Sequence, residues 1–248
     1  EDFLYDDDTI LGFSAQGEEK FKHNKYANLP NVSPQGKAIK VIGKNAFEME
    51  EGLNFGTDAV ESKNGMVKVS LPRNLEVIEE AAFRYNALEE IDFPDSLWRI
   101  DDLAFNGNRL EKLYLPDSVS RLGIAAFSLN LLKEVRLPNE LEYIPNGLFS
   151  RNIYLDHIDL PESIVYIGES AFRGCPLTSI DIPSNVEEIA KAAFNSHRFE
   201  ELYIPGNVKK IGNEAFAHNP KWMKLKKLEL GEGIEDIGRN AFKNGVLK

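Results

Sequence analysis

The sequence predicts an α/β solenoid: a right-handed superhelix of about eight stacked units, with one short parallel strand per 22–23 residues. Three observations predict it. Phenylalanine stands at Phe83, Phe105, Phe127, Phe149, Phe172, Phe194 and Phe216, at intervals of 22, 22, 22, 23, 22 and 22, with Phe47 and Phe242 extending the series. An apolar residue followed by proline keeps the same beat at Leu71-Pro72, Phe93-Pro94, Leu115-Pro116, Leu137-Pro138, Leu160-Pro161, Ile182-Pro183 and Ile204-Pro205, with Leu230-Gly231 as an altered copy. Three residues past each phenylalanine stand Asn86, Asn108, Asn130, Asn152, Cys175, His197 and Asn219.

Each element of the unit has a physical reason. The run L-x-x-I-x-L-P, as in Leu88 to Pro94 and Leu110 to Pro116, alternates apolar and polar residues with period two, the mark of a short strand with one buried face. The proline has no N–H for a ladder, so it marks where the strand stops and the chain turns away. Strands joined by a returning segment must be parallel, and stacking buries the apolar face that a single unit cannot bury alone. The returning segment, for instance Ile167 to Phe172, has helical spacing but room for only about one turn of helix or 3₁₀ structure. A side-chain amide repeated at one turn position satisfies backbone groups that tight turns leave unpaired, so Cys175 and His197 read as substitutions in a structural ladder.

Residues 1–37 do not fit the repeat, apart from a degenerate Leu29-Pro30, and are expected to form an N-terminal cap with a strand at Thr9 to Phe13 and a short helix at Ala15 to His23. Residues 38–248 form the repeats. A Gly-, Asn- and Asp-bearing insertion at 52–65 and an excess near Pro220 to Met223 are expected to be loops. The chain stops where another strand would begin, so the array is expected to be truncated from a longer protein.

Composition excludes several classes. A net charge of −11 argues against nucleic acid and anionic membrane as partners, because neutralising phosphates takes clustered Lys and Arg. No apolar run approaches the ~20 residues that span a bilayer, so no membrane insertion is expected. One cysteine, Cys175, allows no internal disulfide. No G-x-S-x-G, H-E-x-x-H, P-loop or dinucleotide fingerprint occurs, and no catalytic residue, metal or cofactor is expected.

Alternation sends Lys68 and Ser70, Glu90 and Asp92, Lys112 and Tyr114, Glu134 and Arg136, His157 and Asp159, Ser179 and Asp181, Glu201 and Tyr203, and Lys227 and Glu229 outward from the strands. This row is the candidate binding face. Tyr and Arg are the types that most often anchor interfaces, so Tyr114, Arg136 and Tyr203 lead it, joined by His157, Asp159 and Asp181. The last three also raise a metal or acid-base reading, which lacks a fourth group or a pocket in the sequence; ordinary solvated strand residues are the alternative at every position.

The L-x-x-I-x-L-P, Ala-Phe and Asn/Cys positions, repeated in phase over residues 38 to 248, resemble the BspA-like class of leucine-rich repeats found in large surface proteins of bacteria and some protists. The resemblance implies a curved solenoid with strands on the concave side, an extracellular or cell-surface location, and a role in attachment or host contact. The partner is then a protein or glycan, host extracellular molecules among them. A passive stalk or spacer in a larger surface protein is the rival; an enzyme with its site in the 52–65 insertion is a third possibility that no catalytic constellation supports.

Overall fold

The computed structural model describes residues 2–21, 25–49, 65–218 and 225–245. At the N-terminus, β1 (Phe3–Asp6) pairs antiparallel with β2 (Thr9–Phe13), and α1 (Ala15–Phe21) follows. The strand at Thr9 to Phe13 and the helix from Ala15 are where the sequence places them; β1 was not foreseen. The insertion at 52–65 falls, except for Gly65, outside the described residues, as do Asn219 and the excess near Pro220 to Met223.

Beyond the hairpin the chain is a parallel-strand solenoid with two rows of short strands rather than one. The first row holds the L-x-x-I-x-L runs: β3 (Tyr26–Asn28), β5 (Lys68–Ser70), β8 (Lys112–Tyr114), β10 (Glu134–Arg136), β14 (Glu201–Ile204) and β16 (Lys227–Leu230). The second row lies between the proline and the phenylalanine of each unit: β4 (Val41–Ile42), β6 (Val77–Ile78), β7 (Arg99–Ile100), β9 (Arg121–Leu122), β11 (Tyr143–Ile144), β12 (Tyr166–Ile167), β13 (Glu188–Ile189), β15 (Lys210–Ile211) and β17 (Asp236–Ile237).

One strand per unit is therefore corrected to as many as two. The first row is not one sheet either: it forms three two-stranded ladders, β3–β5, β8–β10 and β14–β16, while the equivalent runs at 88–93, 155–160 and 177–182 are extended without a ladder. The second row forms a six-stranded sheet that begins with β1 and β2 and a five-stranded sheet from β11 to β17.

Among the described residues the returning segments are linked turns, not helix, and the α element is confined to α1. Two left-handed residues flank the phenylalanine, such as Ala81 and Tyr85 around Phe83 or Ala125 and Leu129 around Phe127. A residue with φ near +57° cannot continue a right-handed helix. It turns alternate N–H groups outward: Ala81, Phe83 and Tyr85 donate to Asp102, Ala104 and Asn106 of the next unit, while Ala82 and Arg84 bond locally. The turns thus make a third line of inter-unit hydrogen bonds.

The core is one continuous cluster. Its axis is a column of stacked rings from Phe47 through Phe83, Phe105, Phe127, Phe149, Phe172, Phe194 and Phe216 to Phe242, with centroids 5.2 to 5.6 Å apart except for one interval. Offset stacking adds to the apolar area each ring buries. Beside the column runs the asparagine ladder. Asn130 accepts from the Leu110 N–H at 3.1 Å and donates to the Phe105 and Phe127 carbonyls at 2.9 and 3.2 Å. Asn108 and Asn152 repeat the pattern on Leu88 and Leu132. The structural use foreseen for the amides is thereby shown.

The exceptional interval is Phe127 to Phe149, at 6.4 Å. At the same junction the second row splits, because β9 and β11 do not pair. Elsewhere the N–H after the second-row strand donates to the preceding unit, as Gly123 does to Ile100 and Gly168 to Ile144, both at 2.8 Å. Pro145 occupies that position here and has no N–H to give the Leu122 carbonyl. Two residues after the unit proline, Ser96, Ser118, Ser163, Asn185 and Asn207 donate to a carbonyl of the preceding unit at 2.6 to 2.8 Å. Glu140 occupies that position here, and a carboxylate cannot donate. Two donors are missing from one junction. Leu122 is half-buried, whereas its counterparts Ile78, Ile100, Ile144, Ile167, Ile189 and Ile211 are fully buried. The first row stays zipped there through β8–β10, so the units open on one side only.

Candidate functional site

All sixteen positions that alternation sends outward from the first-row runs are exposed, and the residues between them point into the core or lie half-buried against it. Tyr114 and Arg136 are brought together as register partners on β8 and β10, with Lys112 opposite Glu134 beside them. The Tyr114 hydroxyl hydrogen-bonds the Glu134 carboxylate, which pushes the tyrosine pKa up and the glutamate pKa down. Arg136 reaches Asp117 at 3.5 Å.

Tyr203 is 58% exposed and faces Glu229 in the β14–β16 register. His157 and Asp159 lie 3.2 Å apart on one extended run, and Asp181 is exposed on the next. The six candidates thus share one row but do not converge on one point. Among the described residues no group of three or more His, Cys, Asp or Glu is placed to hold a metal ion.

Much of the row's charge is paired within it. Lys68 meets Glu90, Lys112 meets Glu134 at 3.4 Å, and Lys227 meets Glu229 at 2.8 Å. Exposed pairs of this kind add little to stability, because water screens them, but they set a surface of alternating sign.

Tyr26 belongs to the same row and was missed, because residues 1–37 were read as a cap. It is 60% exposed and in register with Lys68. The signal was present in Tyr26-Ala27-Asn28-Leu29-Pro30, which repeats the outward-inward-outward-apolar-Pro order of Lys112 to Pro116.

The two substituted ladder positions are structural. The Cys175 thiol donates to the Phe149 carbonyl at 3.1 Å, and burial pushes its pKa up to about 12, far from the thiolate that reactivity requires. His197 accepts from the Phe199 N–H through Nδ1 at 2.9 Å and faces the Phe216 carbonyl through Nε2 at 3.1 Å, the geometry of a neutral ring. Burial pulls its pKa down to about 4 from 6.5.

A group depressed in the fold contributes stability that is complete above its unfolded pKa of 6.5 and is lost as pH falls toward 4. Unfolding free energy should therefore fall by about 2 to 3 kcal/mol more between pH 7 and pH 4.5 in the native chain than in His197→Asn, whose amide stays neutral. Equal losses in the two proteins, measured by urea denaturation, would remove His197 as the titrating group.

A family model described as a BspA type leucine-rich repeat region of 6 copies matches residues 54–158 and 125–248. The chain belongs to this family. Solved structures agree on the fold. A leucine-rich repeat protein from Bacteroides ovatus is similar over 98% of this chain and 80% of its own, with 20% identity and a TM-score of 0.61. One from Eubacterium ventriosum is similar over 94% and 68%, with 15% identity and a TM-score of 0.53. A leucine-rich cell surface protein from Faecalibacterium prausnitzii is similar over 91% of this chain and 52% of its own, with 17% identity and a TM-score of 0.50, so the chain spans about half of that protein. No curated protein matches. Among the described residues, no helix is long and apolar enough to cross a membrane.

Proposed function

We propose that this chain is a non-catalytic interaction region of a secreted or surface-anchored bacterial protein, and that it holds a protein or glycan partner against its first strand row in adhesion or host contact. The observation that carries the reading is the division of labour within each unit. Core, turns and ladders are built from inward side chains and backbone, which leaves a row of exposed outward positions whose identity the fold does not constrain. Tyrosines 47%, 58% and 60% exposed at Tyr114, Tyr203 and Tyr26 supply the aromatic area that anchors interfaces. The description of the F. prausnitzii protein as a cell surface protein supports the location. A passive spacer is favoured by one observation, the mutual pairing of the row's charges, which leaves less of that surface seeking a partner.

The test compares the native chain with Tyr114→Ala/Arg136→Ala/Tyr203→Ala on arrays of extracellular-matrix proteins and of glycans. Each replacement should change stability by only a few tenths of a kcal/mol, as at ordinary surface positions. Affinity for any ligand found should fall by about tenfold or more, or about 1.4 kcal/mol. A folded triple variant that binds as well as the native chain moves the site off this row, and no ligand on either array favours the spacer.

A further inference from the structure

The junction between the unit ending at Leu131 and the unit beginning at Leu132 differs from its neighbours on one face. At every other described junction of the second row from β4 to β17, two N–H groups donate to the preceding unit. Ser120 donates to Trp98 and Gly123 to Ile100; Val165 donates to Glu142 and Gly168 to Ile144. Here neither bond forms. Glu142, which stands where Ser120 and Val165 stand, does not reach the Ser120 carbonyl, and Pro145 has no N–H. The core carries a further departure. Every other unit places alanine before its column phenylalanine, as at Ala104, Ala126 and Ala171, whereas this one places Leu148, fully buried. The added bulk coincides with the widest ring interval, 6.4 Å, and with a stretched bond: the Phe127 N–H donates to the Leu148 carbonyl at 3.2 Å, against 2.8 to 2.9 Å for the other column phenylalanines.

Two other lines of bonds cross the same junction intact. The first row is zipped by β8–β10, with Lys112 to Tyr114 in register with Glu134 to Arg136. The turns are tied by Ala125 to Asn146 and Leu129 to Ser150, both at 2.9 Å, and the Asn152 amide holds the Phe127 carbonyl at 3.0 Å. Two fixed lines define an axis and leave one motion, a rotation that opens and closes the second-row face. Motion concentrates where backbone bonds and buried contacts are fewest, and half-buried Leu122 with its unbonded neighbours marks that place. We propose that this junction is a hinge, about which the arm ending at Leu131 and the arm beginning at Leu132 bend. Tyr114 and Arg136 lie on the axis side and keep their register as the opposite face moves. The outward row rides on both arms, Tyr26 and Tyr114 on one and Arg136 and Tyr203 on the other, so bending changes the curvature of the row without altering a side chain in it. The hinge stands whether or not that row holds a partner.

Hinge motions run on the microsecond to millisecond scale, which methyl relaxation dispersion by NMR reads directly. In the native chain the methyls of Leu122 and Ile144, on either side of the open face, should show dispersion with one common rate. Ile100 and Ile167, one unit further out on each arm, should show none, and neither should Leu113 and Val135 on the zipped face of the same junction. Glu140→Ser/Pro145→Gly gives this unit the residues its two neighbours carry, Ser118 and Gly123 on one side and Ser163 and Gly168 on the other, and should abolish the dispersion. If that variant fails to fold, Pro145→Ala, matching Ala190 of a later unit, restores one N–H and should reduce the dispersion at both methyls. Flat profiles at Leu122 and Ile144 in the native chain would make the junction a fixed dislocation. Equal dispersion at every junction would make it general breathing, and equal dispersion at Leu113 and Val135 would make it local unfolding of a unit. Each of these results, or unchanged dispersion in the repaired variant, would overturn the proposal.

Discussion

Replacing Asn130 with alanine should lower the unfolding free energy by about 3 to 5 kcal/mol, one of the two largest effects of a single change in this chain. The amide is buried and ties three backbone groups on two units: the Leu110 N–H and the carbonyls of Phe105 and Phe127. Leaving one buried polar group without a partner costs about 1 to 3 kcal/mol, and the losses here occur where water has no ready access. Asn130→Asp keeps the acceptor for Leu110 but sets a carboxylate against two carbonyls, so it should do at least as much harm at neutral pH. Urea denaturation followed by circular dichroism measures both. An alanine variant within 1 kcal/mol of the native chain would mean that the ladder is incidental to stability.

The second large effect is expected at Phe105. Its ring lies 5.3 Å from Phe83, 5.5 Å from Phe127 and edge-on to Phe93 at 5.6 Å, and it is fully buried. Truncation to alanine opens a cavity in the middle of the column and should cost about 3 to 5 kcal/mol. Phe105→Leu, which refills most of that volume, should recover over half of the loss. Equal destabilisation by both variants would place the effect in ring stacking rather than in filled volume.

The solenoid, its period, its buried face and its outward row were all legible in the sequence, because each rests on side-chain type repeated in phase. What depends on the backbone was not. The second strand row consists of two-residue pairings such as Val77-Ile78 and Arg99-Ile100, too short to show an alternation. The returning segments have helical spacing, yet Ala81, Leu103 and Ala125 take left-handed conformations that residue type does not announce. The broken ladders of the first row are equally silent, since the run at 88–93 reads like the one at 110–115. Glu140 and Pro145, by contrast, stood in plain view once the units were aligned, as departures that remove a donor. Which outward residues hold a partner is a different kind of question, because no periodicity constrains them.

At Asn108, Asn130 and Asn152 the rungs of the ladder are written with the same offsets: the amide accepts from an N–H 20 residues earlier and donates to carbonyls 3 and 25 residues earlier. Those offsets refer only to the adjoining unit, never to an absolute place in the chain. Excising 22 residues between equivalent points, or duplicating them, would present each amide with the same three partners and each ring with the same two neighbours. Length is therefore a free variable of this architecture. Within the regular stretch, a lineage carrying it can lengthen or shorten the array by recombination within the gene and keep the ladder's bonds, and can change the spacing between distant outward side chains in steps of one unit.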